Sequence, residues 1–575
     1  MDHRLRTLGF VAIAAALGIM TMAMSSRSLP GGADLAGPFA DEGYPIDDET
    51  VIARCARCHE RDDEGRMTRI SYERKTPEGW QTSLRRMVAL NSLRITPEEA
   101  RQVVRYLSNN QGLAPEELEP GRFEVERRMI DYTYDGDSDV EFTCIQCHSM
   151  GRVITQRRTR EEWELLLATH RGLYPLVDFQ AFRRLGPPPE AGPDGTPPDT
   201  RQPMDVAIDH LSAVFPLDTP EWSAWKATMR PARLAGTWIV EGHEPGRGPL
   251  YGTVTITPGE AEDEFETRAT YRYAESGDEV ARSGQAVVYT GYQWRGRSNP
   301  GAEDELREVM SVDRGWNEMT GRWFSGAYDE HGPDVTLRRA NGPAIAGAHP
   351  RALARGSAGV EVRVFGASLP GSAADYDLGP RVTVASASVS GDGAVATLRV
   401  SVASDAVIGA RDLFAGGASR AEALVIHDGV DRLEVTPATG MARVGGANFP
   451  KGYQVFDAIG WDDGLDGESG TDDDLRLGRV PVEWTMEEFS ATFDDDDVEF
   501  VGSLGADGSF TPGADGPNPA RRGSRNNVGD VWVVATLSGA ELERPLRARA
   551  HLIVTVPLYL RFDPWEGAPP TRLVP

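Results

Sequence analysis

The chain has 575 residues, 40% hydrophobic and 26% charged, with a formal net charge of −28. That length implies roughly three to five domains. The acidity argues against nucleic acid and against an anionic membrane surface as partners, and suits a soluble protein that meets small or basic ones.

At the N-terminus, His3, Arg4 and Arg6 precede an apolar run from Leu8 to Met24, and small and polar residues follow. This pattern reads as an export signal over residues 1–33, cleaved from the mature protein, with an uncleaved anchor as the alternative. No later segment is apolar for long enough to span a membrane.

Residues 34–228 form the first domain, with helix-like periodicity and few strand-like runs. All four cysteines of the chain lie here, in Cys55-Ala56-Arg57-Cys58-His59 and Cys144-Ile145-Gln146-Cys147-His148. C-x-x-C-H is the attachment sequence of a c-type haem: the thiols take the vinyl groups and the histidine binds the iron. A zinc site would not require His directly after both second cysteines, and disulfides would leave both histidines unexplained. Two such motifs predict a dihaem cytochrome c domain. Covalent haem attachment agrees with an export signal. It also leaves no cysteine for a structural disulfide.

The domain carries a weak internal repeat. Thr76-Pro77-Glu78-Gly79-Trp80 follows the first motif and Thr159-Arg160-Glu161-Glu162-Trp163 the second. Each predicts a helix start with Thr as N-cap, and the second predicts a Thr-x-x-Glu capping box. In register on the tryptophans, Leu84 matches Leu167 at i+4 and Met87 matches His170 at i+7, all on one helical face. Methionine and histidine are the usual sixth ligands of c-type haem iron. The expected pairs are therefore His59/Met87 for the first haem and His148/His170 for the second. Rival ligands are Met67, Met129, Met150 and His210, and core packing is the competing role for Met87. A further helix follows in each copy, from Thr96-Pro97-Glu98-Glu99 and from Met204-Asp205, placing Tyr106-Leu107 opposite His210-Leu211; on this match His210 reads as core. A Pro/Gly-rich loop, Gly186 to Pro198, interrupts the second copy. Because thioether sulfur favours reduced iron, the first haem should have the higher potential.

The character changes near Met229-Arg230-Pro231. Short alternating runs such as Gly252–Thr257, Thr270–Tyr273 and Met319–Phe324 predict an antiparallel β-barrel, lipocalin-like, over residues 229–340. Beyond a linker at Ala340-Asn341-Gly342-Pro343, runs such as Val360–Phe365 and Val395–Val400 predict an immunoglobulin-like β-sandwich over 341–435. A second sandwich with acidic loops is predicted over 436–575, including Val531–Thr536 and His551–Val556. The fold class is thus multidomain, α then all-β. The acidic runs Asp462–Gly467 and Asp472–Asp474 do not match a calcium loop and read as solvated. Asp494–Asp497 reads as a charged turn between strands at Phe493 and at Val498–Phe500. His243, His331, His349, His427 and His551 receive no role.

Taken together, the two C-x-x-C-H motifs, the Thr-x-x-x-Trp stretch behind each, and the order of the β regions resemble the alpha, dihaem subunit of quinohemoprotein amine dehydrogenase. The resemblance covers essentially the whole mature chain. It implies a periplasmic complex of three subunits. In such a complex a small gamma subunit holds cysteine tryptophylquinone and the catalytic residues, and the beta subunit is propeller-like. The alpha subunit passes electrons from the quinone to a soluble cupredoxin or cytochrome. Cys55, Cys58, His59, Cys144, Cys147 and His148 carry over by direct motif match, and Met87 and His170 through the repeat. With no spare cysteine for a quinone crosslink, the chain by itself is not expected to oxidise amines, and it has no catalytic residue of its own for that step. Two other functions fit two haems and β domains: a dihaem c-type peroxidase, and a haem-based sensor or surface protein whose sandwiches bind a macromolecule.

Overall fold

The computed structural model describes residues 42–123, 132–187, 195–325, 331–446, 449–490, 495–539, 542 and 544–557. The signal segment, Met129, Asp494 and most of the Pro-rich loop lie outside them. Among the described residues no helix is long and apolar enough to cross a membrane.

The first domain is two copies of one helical unit. Copy one has α1 (Glu49–Cys55), a short strand β1 (Glu73–Lys75), α2 (Pro77–Asn91) and α3 (Pro97–Asn110), followed by the single turn α4 (Pro115–Leu118). Copy two has α5 (Ser138–Ile145), the single turn α6 (Gly151–Ile154), β2 (Gln156–Arg158), α7 (Arg160–Leu173) and α8 (Pro203–Val214). A last helix, α9 (Pro220–Thr228), leads to the barrel.

The copies match in detail. Asp48 caps α1 and Asp137 caps α5, each seven residues before the first cysteine of its motif. Thr76 and Thr159 share φ −64° and ψ 162°, and each side chain accepts the backbone N–H three residues on. Trp80 and Trp163 are buried one turn into their helices, with Leu84 and Leu167 beneath them. The Trp80 indole donates to Gln111 O at 3.3 Å, and that of Trp163 to Phe215 O at 3.2 Å. Gln111 and Phe215 are the C-caps of α3 and α8, so the equivalence of Leu107 with Leu211 holds in space.

β1 and β2 join the copies. They pair antiparallel, Glu73 with Arg158, Arg74 with Arg157 and Lys75 with Gln156. Equivalent residues thus meet about a local two-fold axis through Arg74 and Arg157. Both guanidinium groups converge on the buried Glu117. Arg74 grips it with two hydrogen bonds, at 2.9 and 2.8 Å, and Arg157 approaches to 3.1 Å as an ion pair. Burial pushes the Glu117 carboxyl up, but the two arginines outweigh it and hold the pKa at about 2.

One local expectation fails. Thr159 caps α7, but Glu162 does not return to close a capping box; its carboxylate reaches Arg69 at 2.8 Å instead, binding copy two to copy one. The reciprocal box forms at Thr96 and Glu99.

The barrel is closed: eight antiparallel strands, β3 (Gly236–Glu244), β4 (Gly248–Pro258), β5 (Glu264–Tyr273), β6 (Glu279–Tyr289), β7 (Gln293–Ser298), β8 (Leu306–Val312), β9 (Glu318–Phe324) and β10 (Asp334–Arg339), each paired to the next and β10 to β3. Bulky side chains, among them Trp238, Trp294, Trp323 and Tyr271, fill its core. The void beside Glu308 and Trp294 is about 10 Å³, too small for a ligand. Glu308 is deeply buried there and accepts from the Trp294 indole at 2.9 Å; burial pushes its pKa up to about 7.

Next come two four-stranded sheets that share one core, with Val362, Leu398, Leu413 and Ile426 fully buried between them. The C-terminal region has a four-stranded sheet and two three-stranded ones around Phe456, Phe510, Val533 and Leu552. Strand Arg432–Thr436 pairs with Asp457–Asp462 and so belongs to this last region. Asp497–Phe500 is a single helical turn rather than the expected strand. Buried Arg521 draws Asp496 and Asp497 together there, which fixes the backbone as a turn.

Candidate haem site

Each C-x-x-C-H motif begins at the end of a helix. Cys55 is the last residue of α1 and Cys144 the last but one of α5. In the first motif the chain then tightens, so that Cys58 N and His59 N both donate to Cys55 O at 3.0 Å. In both motifs the first cysteine is half-buried and the second exposed. Burial pushes the Cys55 thiol up to about 11 and the Cys144 thiol to about 12.

The candidate ligands are oriented by backbone carbonyls. His59 Nδ1 lies 2.8 Å from Thr68 O, His148 Nδ1 2.9 Å from Ser149 O, and His170 Nδ1 2.8 Å from Leu166 O. A carbonyl only accepts, so each Nδ1 carries the proton and each Nε2 lone pair is free for a metal. Burial lowers the pKa of both His148 and His170, which favours the neutral, ligating form.

The structure brings His148 and His170 together. Their ring centres are 6.4 Å apart. Two metal–nitrogen bonds of about 2 Å each, plus roughly 1 Å from each nitrogen to its ring centre, sum to about that separation. Beside the rings lies a cavity of about 410 Å³ lined by Cys144, Cys147, His148, Leu167, His170 and Phe182. This volume is within the range of cofactor pockets, and its apolar walls suit a porphyrin. The residues present therefore fit a covalently held haem, which Cys144, Cys147, His148 and His170 would hold.

At the first motif, Met67, Trp80 and Leu84 pack with Cys55 and Ala56 in one core. Met87 is half-buried near the end of α2, and its sulfur accepts a weak contact from Asn91 Nδ2 at 3.7 Å. His59 and Met87 share no hydrogen bond among the described residues. The rivals have other duties. Met67 and Met150 are fully buried in the two helical cores. His210 is half-buried and its Nε2 meets the Tyr134 hydroxyl at 2.8 Å.

Sequence reading missed the aspartate caps. Asp-x-x-Val ahead of each motif, Asp48 with Val51 and Asp137 with Val140, is a repeat signal in its own right, because both valines are buried in the first turn of the motif-bearing helix. It also missed Glu117, whose partners Arg74 and Arg157 lie far away in sequence.

Three carboxylates, Glu488, Asp495 and Asp497, lie close together in the last region, but Arg521 already neutralises Asp497. At the acidic loop, Arg432 pairs with Asp463 and with Asp474.

Family models agree with this layout. The model described as quinohemoprotein amine dehydrogenase A, alpha subunit, haem binding, matches residues 46–186, and those for alpha-subunit domains II, III and IV match 231–340, 343–428 and 433–566. No curated protein matches the chain. Among solved structures, a redesigned β-barrel shares 16% identity over 20% of this chain and 98% of its own, with a TM-score of 0.17. A Bacteroides ovatus glucan-utilisation protein, SGBP-B, shares 9% identity over 57% of this chain and 68% of its own, with a TM-score of 0.19. Such low scores carry no argument. The four domain matches, which follow one another from residue 46 to 566, do: this chain belongs to the family of quinohemoprotein amine dehydrogenase alpha subunits, the haem-binding subunits of an oxidoreductase complex.

Proposed function

We propose that this chain is the electron-transfer subunit of an exported, periplasmic amine dehydrogenase, with two c-type haems held at Cys55/Cys58 and Cys144/Cys147. The observation that carries the reading is the pair of carbonyl-oriented imidazoles, His148 and His170, facing each other beside a cavity into which Cys144 and Cys147 open. His59 and Met87 serve the first haem. Bound in these sites, haem iron supplies one-electron oxidation and reduction.

The chain's own part is positional. Nδ1–carbonyl hydrogen bonds fix each imidazole plane and raise its ligating power. Haem held by two side chains at each site would have no open position for substrate, which suits electron transfer and not peroxidase chemistry. The β1–β2 ladder holds the two sites in one rigid unit. With its four cysteines committed, the chain takes electrons from a cysteine tryptophylquinone on a small gamma subunit and delivers them to a soluble cupredoxin or cytochrome. The packed barrel and the immunoglobulin-like sandwiches serve as scaffold for the gamma and the propeller-like beta subunits.

The test is a pull-down from native periplasm, followed by an SDS gel stained for haem and for quinone redox cycling. A small quinone-positive band beside the haem-positive chain is expected. A lone haem-positive band, with normal dihaem spectra, would overturn the complex and favour a self-contained sensor or peroxidase.

A further inference from the structure

Helix α2 belongs to the first copy, yet part of it walls the cavity of the second motif: Glu78, Ser83 and Arg86 all line that space. The neighbour of Arg86 is Met87, the candidate ligand of the first haem. Two adjacent residues of one helix are thus assigned to two different candidate sites.

The cations around the cavity are not equivalent. Lys75 is held by Glu73 at 2.7 Å and Ser83 at 2.6 Å. Arg158 is held by Glu73 and Glu162. Arg295 is held by Glu78 at 2.6 Å, and Arg122 lies 3.4 Å from Glu119. Arg152 and Arg307 also have partners. Arg86 is half-buried and makes no hydrogen bond or ion pair with any described residue. A guanidinium held partly out of water without a counter-charge is costly, and its planar fork matches a carboxylate. Haem brings carboxylates of its own.

We propose that Arg86 binds a propionate carboxylate of the second haem and thereby ties the helix bearing the first haem's ligand to the second haem. The proposal rests on the dihaem reading above. Arg86 acts as a positioning residue and as a nearby positive charge. A positive charge beside the site favours the reduced iron, which carries one positive charge fewer, so Arg86 raises the potential of the second haem.

The test uses the full mature chain in its complex, with Arg86→Gln and Arg86→Lys compared by haem content and by spectroelectrochemical titration. All three proteins should hold two haems. In R86Q the equilibrium constant for reducing the lower-potential, bis-histidine haem should fall about tenfold, which is about 59 mV for one electron. R86K should recover most of that shift. An unshifted bis-histidine haem, or an equal shift in R86Q and R86K, would overturn the proposal. A wild-type chain with one haem, or with no bis-histidine species, would overturn the dihaem reading itself, and this proposal with it.

Discussion

Glu117 shows what one buried carboxylate does here. It neutralises two arginines on the local two-fold axis, and its pKa sits near 2, below that of an unfolded chain. The stability it contributes is therefore present in full above the unfolded carboxylate pKa of about 4.3, and is lost as pH falls toward 2. A carboxyl lowered that far contributes about 3 kcal/mol. Glu117→Gln would leave buried guanidinium charge unpaired and should cost about 3–5 kcal/mol at neutral pH. Unfolding followed through haem absorbance should show that gap between wild type and variant shrinking as pH drops toward 3; a constant gap would contradict the assignment. The same scale governs the proposed haem ligands. Removing the His170 side chain in His170→Ala should leave both haems attached, because the thioether bonds are untouched. It should also open one coordination position, read as a new high-spin, carbon monoxide-binding haem. Met87→His should lower the potential of the first haem alone, because imidazole favours oxidised iron relative to thioether sulfur.

The helices of the two copies are set by their caps. Thr76 and Thr159 each satisfy a backbone N–H in the first turn. Thr159→Ala should cost about 1 kcal/mol, roughly a fivefold loss of amide-exchange protection in α7, the helix that presents His170. Unchanged protection in α7, measured by hydrogen–deuterium exchange, would contradict that role. Much at this scale was legible in the sequence. The motifs, the Thr-x-x-x-Trp starts, the match of Leu84 with Leu167 and the period-two strands all depend on local spacing, and spacing is what a chain displays directly. What was hidden depends on distance. Glu162 satisfied every local rule for a capping box, and Arg69, 93 residues earlier, took its carboxylate instead. Val498–Phe500 alternates like a strand, and Arg521 turns it into a helical bend. Arg86 carries no signal in the sequence, and only the pairing of its spatial neighbours sets it apart.

The helical region and the barrel are one packed body. Leu113, Leu118, Trp222 and Trp225 belong to the same buried cluster as the barrel's Trp238 and Trp294. Trp225 donates to Thr290 O at 2.9 Å, and Tyr292 donates to Leu113 O at 3.1 Å. Arg295 on β7 reaches Glu78 in the first turn of α2. Gly112 is pressed so closely to the barrel loop that an added Cβ would lie 2.9 Å from Thr290 Oγ1. A chain truncated after residue 228 would expose this apolar face, and it should aggregate or be cleaved rapidly where the full chain resists. A monomeric, protease-resistant fragment would show that the haem region is independent of the barrel.

On the proposed reading, two haems with different ligands set this molecule's function. The most direct test of them is low-temperature electron paramagnetic resonance, with near-infrared magnetic circular dichroism, on the purified oxidised protein and its His170→Ala variant. The wild type should show two low-spin haems, one bis-histidine and one histidine–methionine, and only the bis-histidine signal should vanish in the variant. A single haem, two identical signals, or a bis-histidine signal that survives the loss of His170 would contradict it.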